Sequence, residues 1–118
     1  IKPFLMYTIQ SGNIIFCSGS EEMFIPDGGA HVRQCYLRIP YGFSNWPAVT
    51  ISIYSFSKTD PQSISGGAAF VPWAVEDAGS GANETLIKIS AINSNYETPV
   101  DHPYVCNYVV VGEIMSKN

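Results

Sequence analysis

The 118-residue sequence predicts one all-β domain, a six-stranded antiparallel β-sandwich spanning residues 1–118. Short apolar runs alternate with polar residues at a period of two, which is the spacing of a strand with one buried face. Gly, Pro, Ser and Asn separate these runs at short intervals, as in sandwiches and barrels. Glycine or proline interrupts every window that would otherwise favour a helix longer than one turn.

Alternation is clearest in the second and third predicted strands. In residues 32–39, Cys35, Leu37 and Ile39 share one face and Arg38 lies on the other. After Pro47, the side chains of Val49, Ile51 and Ile53 lie on one face of the predicted strand. Those of Thr50, Ser52 and Tyr54 lie on the other. The six predicted strands cover residues 14–17, 32–39, 49–54, 68–75, 85–92 and 104–114. Each is long enough to cross one sheet of a small domain.

Three further predictions concern the turn after the fourth strand, Trp73 in that strand, and the last strand. Residues 77–81, Asp-Ala-Gly-Ser-Gly, predict a flexible tip between the fourth and fifth strands. Trp73 shares a predicted face with Val71 and Val75, which favours a core position. Residues 104–114 have bulky apolar side chains on both faces, which predicts a central strand.

Composition excludes several classes of function. Charged residues make up 14% of the chain, below the roughly 25% of an average soluble domain, so low mutual repulsion favours self-association. Ten acidic against six scattered basic residues leave no basic stripe for nucleic acid. Apolar runs are too short for a membrane span. The start at Ile1, without Met, is consistent with an excised part of a longer chain, and the composition favours an extracellular or virion protein.

Three cysteines leave two interpretations open. Cys17 and Cys35 form a disulfide if their strands are neighbours, or all three thiols, including Cys106, are buried and free. Their spacing does not predict a zinc site. The acidic pairs at 21–22 and 76–77 favour solvated carboxylates over a calcium site. We therefore expect no metal and no cofactor.

Catalytic signals are weak. His31 and His102 are the only histidines, and neighbours such as Asp101 and His102 point to opposite faces on a strand, although a loop would relax that objection. We predict a protein that is not an enzyme. Residues 93–102 combine amide, hydroxyl, acidic, imidazole and aromatic groups, which favours either sugar binding or a hydrophilic connection. Trp46 is equally compatible with a core position and a sugar platform.

Several motifs in order resemble the H-type lectin domain. They are the Ser-Gly at 11–12 before Cys17, the Pro40-Tyr41 pair, the run 47–53 and the closing segment 104–114. The resemblance implies a trimeric sandwich that binds galactose-type sugars between protomers. It also extends to the domains that end bacteriophage tail fibres and spikes. The family's mid-chain arginine has no counterpart in residues 66–75.

The resemblance, together with the loop composition, gives a set of candidate ligand-binding residues. In the first loop, Asp27 competes with Glu21 and Glu22 as the acid. The full candidate set is Asp27, Asn95, Tyr96, Asp101, His102 and Tyr104. The predicted function is non-catalytic binding of cell-surface carbohydrate or bacterial polysaccharide by a homotrimer, as a fibre tip or a free lectin. The alternative is a trimerisation or capping module of a viral appendage without a ligand.

Overall fold

The computed structural model describes residues 6–26, 31–55, 70–93 and 104–115. These residues form an all-β structure, and no helix occurs among them. The strands are β1 (Met6–Ser11), β2 (Ile14–Glu22), β3 (Val32–Ile39), β4 (Ala48–Ser55), β5 (Phe70–Ser80), β6 (Thr85–Asn93) and β7 (Tyr104–Glu113). The described residues contain no helix that is long and apolar enough to cross a membrane.

The strands form two antiparallel sheets. One sheet has the order β1-β2-β7-β4 and the other has the order β3-β6-β5. β7 pairs with β2 on one side and with β4 on the other, which confirms its predicted central position. The all-β prediction is confirmed, but the described chain contains seven strands where six were predicted.

The additional strand is β1, which precedes the first predicted strand. It pairs with β2 through a tight turn at Gly12 and Asn13, and Gly12 has a φ of 59°. Positive φ is the conformation that two-residue hairpin loops require, and glycine adopts it without steric cost. Five of the six β1 residues are exposed. The strand therefore lacks the one-sided burial on which the sequence prediction depended.

Both sheets contribute to one apolar core. The predicted inner face of β3 is confirmed, since Cys35, Leu37 and Ile39 are buried. From β4, the side chains of Val49, Ile51 and Ile53 pack against the same cluster. The other core side chains include Ile15, Phe70, Ile87, Ile89, Ala91, Tyr108 and Val110.

All three cysteines are buried and free, so the free-thiol interpretation is confirmed and no Cys17–Cys35 bridge is present. Cys35 and Cys106 come from opposite sheets and share a side-chain hydrogen bond. That hydrogen bond and burial raise the pKa of the Cys35 thiol, which keeps it protonated. The Cys17 thiol lies 4.0 Å from the Thr8 hydroxyl oxygen.

The prediction for β5 was wrong in two respects. Trp73 is 67% exposed and is not in the core. Phe70 is buried and Val71 is 43% exposed, so the face predicted to be buried points to solvent at the start of β5. Strand pairing then slips between Pro72 and Ala74, where Trp73 is the extra residue of a β-bulge. β5 also continues to Ser80, through a second register shift between Asp77 and Gly79. The predicted flexible tip at 77–81 is thus largely paired strand.

Candidate functional site

Most of the residues predicted to bind sugar lie outside the described residues. These are Asp27, Asn95, Tyr96, Asp101 and His102. Their roles stay predictions. Of the competing first-loop acids, Glu21 is half-buried and Glu22 is exposed, both at the end of β2. Among the described residues, no three His, Cys, Asp or Glu side chains are grouped closely enough to hold a metal ion.

Tyr104 is described, and it lies in the core. Its side chain is 2% exposed and meets the Phe70 ring edge-on, with 4.5 Å between ring centroids. The Arg33 guanidinium lies 5.3 Å from the Tyr104 ring centroid and 4.8 Å from that of Phe70. Burial raises the pKa of the Tyr104 hydroxyl. This residue supports the start of β7, and its role as a sugar ligand stays a prediction.

The Tyr104→Phe variant separates these two roles. The hydroxyl oxygen is buried without a hydrogen-bond partner in the structure as described. An unsatisfied buried hydroxyl costs free energy. We therefore expect the free energy of unfolding of the variant to be unchanged or higher by up to about 1 kcal/mol. Urea titration measures this. A loss of stability above 1 kcal/mol would contradict the burial of an unsatisfied hydroxyl, and weaker sugar binding at full stability would assign the hydroxyl to a ligand.

A surface groove of about 220 Å³ brings together residues that the sequence analysis treated separately. It lies between the β3–β4 connection, the end of β5 and the start of β6. Its lining comprises Phe43, Ser44, Asn45, Trp46, Pro47, Asp77, Ser80, Gly81, Thr85 and Met115. The volume is below the roughly 300–1,000 Å³ of pockets for drug-sized ligands. It therefore suits a ligand of about one ring, or one unit of a longer chain.

The β3–β4 connection is fixed to the end of β7 by backbone hydrogen bonds. The Ser44 amide donates to the carbonyl of Glu113 at 2.9 Å, and the Met115 amide donates to the carbonyl of Gly42 at 2.9 Å. Phe43 forms an isolated β-bridge with Ile114 and buries its ring. These contacts fix the connection that carries Trp46, and Phe43 contributes an apolar side chain to the groove lining.

The bulged end of β5 lines the same groove. The Asp77 carboxylate accepts hydrogen bonds from the Gly79 amide at 2.9 Å and from the Ser80 hydroxyl at 2.7 Å. Gly79 has a φ of 142°, which an L-residue with a side chain rarely adopts. The hydrogen bond from Ser80, and then that from Gly79, lower the pKa of Asp77. The carboxylate is therefore charged at neutral pH and presents acceptor oxygens to the groove.

Trp46 is 49% exposed, which decides against the core alternative left open by the sequence. Its ring is an apolar surface with one indole N–H donor. Asn45, the preceding residue, supplies an amide to the groove lining, and Asp77 and Ser80 supply oxygens to it. The site thus combines one aromatic face with several hydrogen-bonding groups. Asp77 and Ser80 were missed as site residues because their segment predicts only a turn.

Comparison with known proteins identifies no relative. No family model matches the chain, and no curated protein or solved structure matches it.

Proposed function

We propose that this domain is a non-catalytic glycan-binding domain and that the groove beside Trp46 holds the sugar. The observation that carries the proposal is that an exposed indole and the Asp77 carboxylate line the same groove. A sugar ring has an apolar C–H face and a rim of hydroxyl groups. The indole can pack against the C–H face, and the polar side chains of the groove can form hydrogen bonds with the hydroxyl groups.

The polar groups provide both kinds of hydrogen bond that a hydroxyl makes. The Asp77 carboxylate is an acceptor, and the Asn45 amide donates and accepts. The Ser44 and Ser80 hydroxyls are acceptors, because Ser44 donates its proton to Glu113 and Ser80 donates its proton to Asp77. A charged acceptor strengthens such hydrogen bonds. Because Asp77 is held by two hydrogen bonds of its own, its orientation is set before a ligand arrives.

The absence of catalysis is part of the same proposal. Glycoside hydrolysis needs two carboxyl groups across the scissile bond, and acyl transfer needs a nucleophile beside a base. Asp77 is the one titratable side chain among the described residues that line the groove. Its lowered pKa also makes it unsuited to act as a general acid at neutral pH.

The same proposal includes an H-type lectin-like β-sandwich that trimerises. Two antiparallel sheets that share one core support the sandwich. In this proposal the domain recognises cell-surface carbohydrate, as the receptor-binding end of a phage fibre on the virion or as a secreted lectin. The resemblance implies galactose and N-acetylgalactosamine as the first sugars to test, with bacterial surface polysaccharide as the alternative source.

The experiment compares two tryptophan variants of the full chain. Both Trp46→Ala and Trp73→Ala remove one exposed indole, but only Trp46 lines the groove. We expect Trp46→Ala to weaken binding by about tenfold or more, since stacking on an aromatic ring contributes on the order of 1–2 kcal/mol. Glycan-array screening identifies the ligand, and isothermal titration calorimetry measures affinity.

Trp73→Ala should bind the same ligand within about twofold of the unsubstituted protein. Equal losses in both variants, or no loss in a folded Trp46→Ala variant, would contradict the assignment of the groove. If the folded protein binds no sugar or polysaccharide at millimolar concentration, the glycan proposal fails. The trimerisation or capping module then becomes the better account.

A further inference from the structure

The hydroxyl groups of the groove are hydrogen-bond acceptors. Among the described residues that line it, Ser44, Ser80 and Thr85 carry a hydroxyl, and each donates its proton within the protein. Ser44 donates to the Glu113 carboxylate at 3.0 Å. Ser80 donates to the Asp77 carboxylate at 2.7 Å, and Thr85 donates to a backbone carbonyl at 2.8 Å. A hydroxyl whose proton is committed in this way can only accept a further hydrogen bond.

The groove is correspondingly poor in donors. The backbone amides of Ser44 and Gly81 donate to carbonyls of the protein at 2.9 and 2.8 Å. Among the described side chains of the lining, those that offer a donor to a ligand are the Asn45 amide and the Trp46 indole. The groove therefore favours a ligand that brings donors of its own.

One oxygen of the Asp77 carboxylate is available to such a ligand. Both hydrogen bonds from the protein to this side chain, from the Gly79 amide and the Ser80 hydroxyl, end on Oδ1. Oδ2 therefore keeps its lone pairs for a donor on the ligand. Because the same hydrogen bonds lower the pKa of Asp77, this oxygen belongs to a charged carboxylate at neutral pH.

No described cation balances this charge. Among the described residues, no Lys or Arg lines the groove or lies within ion-pair distance of Asp77. Arg38 is instead paired with Glu84 at 2.7 Å, and Lys88 lies opposite Glu76 in the pairing of β5 with β6. The described groove thus combines negative charge with an excess of acceptors, and both properties favour a cationic ligand.

We propose that the groove selects sugars that carry a protonated primary amine, that is, amino sugars without an N-acetyl group, and this assignment rests on the proposed function. An ammonium group has three donors and no acceptor, so it complements Asp77 Oδ2 and the hydroxyl oxygens of Ser44 and Ser80. A neutral hydroxyl brings one donor, and an N-acetyl group adds a carbonyl acceptor. A sugar carboxylate brings acceptors and a like charge, so it fits the groove worst.

The strength of the preference is limited by solvent. Asp77 is exposed, and water and salt screen its attraction to a cation. The Trp46 indole supplies the apolar surface for the sugar ring whether or not the ring carries an amine. We therefore expect the amine to raise affinity by about fivefold at low salt, in the range of an exposed ion pair.

The test uses isothermal titration calorimetry of the full chain with galactosamine, galactose, N-acetylgalactosamine and galacturonate. At about pH 6 a primary amine is protonated and Asp77 stays ionised. At about 20 mM salt, galactosamine should bind about fivefold tighter than galactose, and galacturonate about fivefold weaker. N-acetylgalactosamine should bind no tighter than galactose. At about 500 mM salt these differences should shrink to within about twofold. The glucose series is measured in the same way.

Asp77→Asn removes the charge and keeps an oxygen that can accept from Gly79 and Ser80. In this variant the preference for the amine should fall to within about twofold. Glu76→Gln is the matched control, because it removes the same charge from the next residue, which does not line the groove. It should retain most of the preference, and circular dichroism establishes that both variants are folded.

A preference for galactosamine that salt and Asp77→Asn abolish supports the proposal. Equal or tighter binding of galactose or N-acetylgalactosamine overturns it, and so does a preference that survives in folded Asp77→Asn. Ethanolamine, an amine without a sugar ring, overturns it if it binds as tightly as galactosamine. The sugar series and its salt dependence use the unsubstituted protein, so they decide the proposal whether or not Asp77→Asn folds.

Failure of the amine preference is distinguishable from failure of the sugar site. If sugars bind without regard to the amine and Trp46→Ala still weakens them, the groove stands as the sugar site and the selection of amino sugars is wrong. If no sugar of either series and no polysaccharide binds at millimolar concentration, the proposed function fails and the selection of amino sugars fails with it.

Discussion

Replacing Gly42 by alanine is expected to lower the free energy of unfolding by about 3 kcal/mol, and to distort the groove. A Cβ at this position would overlap the backbone carbonyl oxygens of Gly81 and Ala82. Backbone cannot rotate away as a side-chain end can, so the β3–β4 connection would have to move from the β5–β6 turn. Thr85 would lose its 2.8 Å hydrogen bond to the Tyr41 carbonyl in that movement.

Gly81→Ala is the matched control, because a Cβ there meets no atom within 4 Å. It should change stability by less than about 1 kcal/mol. Urea denaturation followed by circular dichroism measures both variants. Equal stability of the two variants would show that the two loops do not approach each other as closely as described. Sugar binding by any folded Gly42→Ala protein should also fall, since Trp46 follows on the same connection.

Truncation of Arg33 is the second substitution with a large expected effect. Arg33 is 1% exposed, and its guanidinium lies against the rings of Phe70 and Tyr104. Arg33→Ala removes a large buried side chain together with two cation–π contacts. We expect a loss of about 3 kcal/mol or more, from the cavity and from the lost contacts. Thermal and urea unfolding measure it.

Two comparisons make the Arg33 result informative. Arg38→Ala removes an exposed arginine whose 2.7 Å ion pair with Glu84 is solvated, so the loss should be under about 1 kcal/mol. Arg33→Met restores much of the buried volume without the charge and should recover part of the stability. If Arg33→Ala were as stable as Arg38→Ala, the guanidinium would not be part of the core.

Prediction from sequence succeeded where one local rule determined the structure. In β3, the alternation of Cys35, Leu37 and Ile39 with Arg38 directly reflects one buried and one solvated face. The same rule failed in β5 at Trp73, because Phe70 enters the core, which puts Val71 on the outer face, and because Trp73 is the extra residue of a bulge. It missed β1 because an edge strand with both faces in solvent has no buried side to mark it.

The groove was only partly predictable. Trp46, between Asn45 and Pro47, has a sequence context that fits a core residue and a surface platform equally well. Asp77 is distant from Trp46 in sequence, and their meeting depends on how the β3–β4 connection packs against the β5–β6 hairpin. That packing is a tertiary contact between two sheets. No local pattern in either segment indicates it.

Fluorescence of a protein in which Trp46 is the sole tryptophan tests the central claim most directly. The chain has two tryptophans, so Trp73→Phe leaves Trp46 as the reporter, and Trp46→Phe is the reciprocal control. The probes are galactose, N-acetylgalactosamine and purified bacterial surface polysaccharides. A sugar on the Trp46 ring should change its emission saturably, while Trp73 alone should show no change. Saturable binding of a probe that leaves Trp46 emission unchanged, or changes only that of Trp73, would contradict the groove as the sugar site.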